Sequence, residues 1–95
     1  MPVIGVLTLE MRFEESHSLK DKRHYVRGVK DRLRKSFNVA VAEIDGQDLW
    51  QRSTVAAVTI SPSRERAAGV LEAAEQAAAD ILGRNLVSSE ISWLD

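Results

Sequence analysis

The chain contains no cysteine. That excludes disulfides, thiolate metal centres and cysteine nucleophiles together, and it fits a reducing compartment. Long hydrophobic runs are also missing: no apolar stretch approaches the roughly 18 residues that a membrane-spanning helix needs. The opening Met1-Pro2-Val3-Ile4-Gly5 lacks the basic segment and cleavage site of a secretory leader. A cytoplasmic location with no membrane contact is the expectation. Histidines number two, His17 and His24, and no third ligand stands at a convincing spacing, so no metal or other cofactor is expected. Aromatic residues are scarce: two Phe, one Tyr and two Trp.

The remaining composition is that of a folded domain. The 95 residues are 44% hydrophobic and 28% charged, which suits one domain over 1–95. The net charge of −1 conceals a strong local asymmetry. Between Ser18 and Phe37 eight basic residues face two acidic ones, a local charge of +6, and the rest of the chain carries −7. Such polarity concerns partners and encounter rather than fold.

Residues 3–13 alternate, with Leu7, Leu9, Met11 and Phe13 on one face and Thr8, Glu10 and Arg12 on the other, the pattern of a half-buried strand. Ser18 is placed as an N-cap with Asp21 three residues on. Leu19, Val26, Val29, Leu33 and Phe37 recur at helical spacing and predict a helix over 19–36. Residues 38–44 predict a second strand, apolar on both faces, and 45–48 a turn. A third strand ends at Ser61, and Ser63 caps a second helix over 64–82. Its inward residues are expected to be Ala67, Val70, Leu71, Ala74, Ala78 and Ile81. Gly83 stops that helix and Leu86 to Trp93 forms the last strand.

The order βαββαβ predicts an α+β, ferredoxin-like sandwich: a four-stranded antiparallel sheet, strands one and three central, both helices on one face. The opposite face, bearing Ile4, Val6 and aliphatics of strand two, is then an exposed apolar patch. A homodimer through this face is expected, with shielding by alanines and termini as the alternative.

The first helix carries the main chemical signal. Lys20, Arg23, Arg27, Lys30 and Arg34 stand at i, i+3, i+7, i+10 and i+14, which forms one row beside the apolar stripe. The row is about 21 Å long at the helical rise and can follow a phosphate backbone. Lys35 lies near its end. Acidic partners at i+4 are nearly absent, so the row lacks the pairing that decorates an ordinary solvated helix. The spacing does not separate RNA from an acidic protein surface. Lys22 projects into the apolar stripe, where it is expected to snorkel outward, with pairing to Glu43 as the alternative. Glu43, Asp45 and Asp48 are expected to be a solvated cluster. Trp50 and Trp93 are expected to cap the edge of the core, with base stacking as the alternative. Strands one and three offer only Phe13 for the stacking on a sheet face that RNA-recognition motifs use.

Three ordered segments resemble the YlxP-like family of small bacterial proteins of unknown function: Ser18-Leu19-Lys20-Asp21-Lys22-Arg23, Phe37-Asn38-Val39-Ala40-Val41-Ala42-Glu43, and Asp48-Leu49-Trp50-Gln51-Arg52. The resemblance spans nearly the whole chain and implies a ferredoxin-like fold. Relatives are often encoded beside genes for translation initiation and ribosome maturation, which implies an RNA or ribosomal connection. It marks Lys20, Lys22, Arg23, Asn38, Glu43, Asp48, Trp50 and Arg52 as motif positions and supplies no catalytic residue. Ala40 stands where serine is common in relatives, which argues against a hydroxyl role there.

A non-enzymatic binding protein for RNA or a ribosomal particle is therefore the leading expectation. A dimeric module docking an acidic protein is the alternative. A small phosphatase-like hydrolase is a remote third, because the link Glu14-Glu15-Ser16-His17-Ser18 is acidic and has no glycine for an anion cradle.

Overall fold

The computed structural model describes residues 1–94. Asp95, the last residue of the expected domain, lies outside them. The strands are β1 (Val3–Arg12), β2 (Ala40–Asp45), β3 (Arg52–Ser61) and β4 (Leu86–Leu94). The helices are α1 (Leu19–Ser36) and α2 (Arg64–Leu82), followed by a short 3-10 turn, Gly83–Asn85.

Both helices start where sequence chemistry places them. Ser18 Oγ accepts from Asp21 N at 3.1 Å, and Ser63 Oγ accepts from Arg66 N at 3.3 Å, so each hydroxyl satisfies one otherwise orphaned amide. Asp21 reaches back to His17 N rather than to the cap itself. Gly83, at φ +53°, ends α2 in a conformation that favours glycine.

The four strands form one antiparallel sheet ordered β2-β3-β1-β4, with the two predicted strands at its centre. Its helix-facing side holds the core: Leu7, Leu9 and Met11 of β1, Val55 and Ala57 of β3, Val26, Val29 and Leu33 of α1, and Leu71, Ala74 and Ala78 of α2. The inward stripe of α2 is rotated slightly from expectation. Ala77 and Leu82 are buried, whereas Ile81 is exposed and Val70 only half-buried. Gly5 is a packing requirement here. A Cβ at this position would lie 2.7 Å from Leu71 Cδ1 and 2.8 Å from Trp93 Cζ3, so its absence lets α2 and the Trp93 ring settle on the sheet.

Among the described residues the other side carries no helix. Cross-strand pairing sets it out in rows: Ile60–Ile4–Leu94, then Ala40–Val58–Val6–Ser92, then Ala42–Ala56–Thr8–Glu90. Ile44, Ile60 and Leu94 are each more than half exposed. A shallow hollow of about 240 Å³ lies beside β2, lined by Ala40, Val41, Ala42, Ile44, Ala56 and Val58. The face is apolar at one end and polar at the other.

Candidate functional site

The basic row lies on one flank of α1. Lys22, Val26, Val29 and Leu33 point into the molecule. Tyr25 stacks on Phe13 at the end of β1, with ring centroids 5.2 Å apart, which fixes the flank facing the centre of the sheet. Arg23, Arg27, Lys30 and Arg34 project from the opposite flank, above the outer edge of β2. Lys30 is near enough to β2 for its positive field to reach Glu43.

The row is not uniform. Lys20, Arg23 and Arg27 are exposed and make no ion pair among the described residues. Arg34 is tied to Asp31 at 3.0 Å, and Lys30 is half-buried. Lys35 is exposed but turns away from the row.

Lys22 does not snorkel. It is fully buried, and its Nζ donates to Glu43 Oε2 at 2.9 Å, to Gly46 O, to Gln47 O at 3.3 Å and to Arg52 O at 3.5 Å. An ammonium has three donors and must place all of them once buried. The carbonyls at the β2–β3 turn supply what a snorkelled chain would have taken from water. Ser53 Oγ donates to the same Glu43 oxygen. Glu43 is accordingly part of a closed network, not of a solvated acidic cluster. Burial opposes its charge, but the hydrogen bonds from Ser53 and Lys22 and the positive fields of Lys22 and Lys30 outweigh it, so the carboxyl titrates below its ordinary value.

This network pins the β2–β3 loop against the first turn of α1. Gly46, at φ +80°, forms the tight corner, and a Cβ there would meet the Arg52 carbonyl oxygen at 2.8 Å. Phe13 N donates to Gln51 O at 2.8 Å, and Gln51 Nε2 reaches Glu14 O and Ser16 O on the link before α1. Arg52 pairs with Asp45 at 3.3 Å on the surface. Asp48 is exposed, and Asn38 is also exposed while its carbonyl accepts from Thr59 Oγ1.

The two tryptophans part company. Trp93 packs on the core and lies under the Arg64 guanidinium, 4.6 Å from the ring centroid. Trp50 does not cap the core: it is 47% exposed on the pinned loop, beside the equally exposed Leu49. Ser53, Gln51 and Gly46 were not singled out by sequence reasoning. The inward parity that Ser53 shares with Val55 and the Asp45-Gly46 turn signal were the available clues.

Among the described residues no group of three or more His, Asp or Glu side chains is placed to hold a metal ion, and no helix is long and apolar enough to cross a membrane. The hollow at the end of β1 is lined by Arg12, Glu14, Glu15, Arg84 and Asn85, with Arg84 bonded to Glu15 at 2.9 Å. Its arginines are countered by carboxylates, which disfavours an anion there.

Fold and site together define a ferredoxin-like α+β protein with a cationic helix flank above one sheet edge and an uncovered apolar sheet face. Foldit4, a de novo designed protein, shares this architecture with a TM-score of 0.61 at 11% identity, over 100% of this chain and 98% of that one. A dimeric ferredoxin-like protein of unknown function from Thermobifida fusca YX gives 0.51 at 14% identity, over 96% and 90%. At such identities the likeness concerns the fold alone. Residues 4–91 match the model of DUF503, a family of proteins of unknown function, and the chain belongs to that family. The uncharacterised protein YlxP of Bacillus subtilis (strain 168) is 36% identical over 62 residues, 65% of this chain and 67% of the relative.

Proposed function

We propose that this chain is a non-enzymatic, cytoplasmic RNA- or ribosome-associated binding protein, which lays the basic flank of α1 along a phosphate backbone in translation or ribosome maturation. One observation carries the reading: Lys20, Arg23 and Arg27 form an exposed row with no ion pair among the described residues, in a chain that is otherwise acidic. Unpaired cations at this spacing displace the counterions condensed on a phosphate backbone, which favours polyanions. Lys30, Arg34 and Lys35 are auxiliary contacts, since the first is half-buried, the second is paired with Asp31 and the third is off the row.

The same chain is proposed to act as a homodimer through the uncovered sheet face. The apolar rows around Ile4, Val6, Val58 and Ile60 support that arrangement, and both helices would then lie on the outer surfaces.

Co-sedimentation with ribosomal particles tests the first reading. Wild-type protein is expected to travel with a subunit in low salt and to be released in high salt. The Arg23→Glu/Arg27→Glu variant is expected to stay at the top of the gradient. Nuclease-insensitive capture of an acidic protein, with no RNA affinity, would replace the reading with a protein-docking one.

A further inference from the structure

Packing accounts for only about half of the Trp50 surface. Burying an indole stabilises a fold, yet this one leaves about half its surface in water. Among the described residues it takes part in no aromatic or cation–π pair, unlike Trp93. Its backbone, by contrast, is held from both sides. Lys22 grips Gly46, Gln47 and Arg52, Leu49 N donates to Gly46 O at 3.0 Å, and Gln51 is bonded to Phe13, Glu14 and Ser16. A large, flat, exposed side chain thus sits on an immobilised loop.

The loop also has a defined position. The bonds from Lys22 press it against the first turn of α1, and the next residue, Arg23, belongs to the unpaired part of the basic row. The exposed indole and the N-terminal part of the basic row therefore lie toward the same end of α1, a cation for phosphate and an aromatic plane for a base. Duplexes keep their base faces stacked and out of reach, whereas single strands expose them. A ring carried on a braced backbone loses less freedom on stacking than one on an unheld loop.

We infer that Trp50 is a stacking platform for an unpaired base, so that the nucleic acid held by the α1 flank is single-stranded RNA. The inference rests on the proposal that this flank binds RNA. An acidic peptide would satisfy the cations but has no need of the indole plane.

Fluorescence of Trp50 reads the contact directly. In a Trp93→Phe background Trp50 is the sole tryptophan, and Trp93→Phe retains a ring under Arg64. Oligouridylate is expected to quench it, while an RNA duplex of equal charge, inorganic polyphosphate and polyglutamate are not. Trp50→Ala is expected to weaken oligouridylate binding roughly 5- to 100-fold, as loss of one stacked base does, with the salt slope and duplex affinity unchanged. Trp50→Phe is expected to recover most of the loss. Salt-sensitive RNA binding with no quenching, and equal in Trp50→Ala, would overturn the stacking inference and leave the basic flank standing. Absence of salt-sensitive binding to any RNA would overturn both. Equal quenching by polyglutamate, or a lowered self-association of Trp50→Ala, would reassign the indole to a protein contact.

Discussion

A single ammonium group organises one end of this molecule. Lys22 is buried completely, and among the described residues no buried side-chain polar atom lacks a partner. Removing one member of such a network leaves the others stranded. Glu43→Gln is expected to cost about 2 kcal/mol at neutral pH, measured by chemical denaturation. The pH dependence follows from the lowered titration of Glu43. The folded carboxyl holds its proton less readily than the unfolded one. Its contribution is complete above the ordinary value of 4.5 and is lost as pH falls through the lower folded value. Wild-type stability should therefore fall more steeply below about pH 4.5 than that of Glu43→Gln, and the gap between them should narrow in acid. A constant gap down to acid would show that Glu43 acts through packing rather than charge. The sequence left this centre ambiguous because helical projection put Lys22 in the apolar stripe without revealing what lay opposite. Four acceptors from Glu43 to Arg52 meet it only after β2 has been folded against α1.

At the scale of elements, most of the fold was legible. Alternation in β1, the 3.6-residue stripe of α1 and two serine caps are local signals, and each element appears within a residue or two of its expected ends. The inward face of α2 was less legible. Alanine marks a helix face weakly, and the stripe turned enough to expose Ile81 and bury Leu82. The close approach of α2 to the sheet also depends on a residue in a different element. Gly5→Ala is expected to destabilise by about 1–3 kcal/mol, because Leu71 and the Trp93 ring occupy the space its methyl group needs. Thermal unfolding of this variant checks the point, and an unchanged midpoint would mean that Trp93 moves aside freely.

Across the whole molecule, the helices cover one side of the sheet and leave the other open. Strand parity made that asymmetry visible in advance, through Ile4 and Val6 set against Leu7 and Leu9. Val58 lies in the middle of the open face, paired with Val6 on one side and Ala40 on the other. Val58→Asp is expected to convert a dimer to a monomer in analytical ultracentrifugation, with the circular dichroism spectrum unchanged, since the side chain does not enter the core. A wild-type protein that sediments as a monomer at micromolar concentration would refute the dimer. The division of labour in the β2–β3 loop has a further consequence. Its path is set by main-chain atoms and by Lys22, Glu43 and Gln51, while the side chains of Asp48, Leu49 and Trp50 form no hydrogen bond or ion pair among the described residues. Those three side chains are consequently available for binding rather than needed to hold the loop's hydrogen bonds. A library randomised there should retain the parent's foldedness while varying in what it adheres to, much as a fixed type block accepts interchangeable letters.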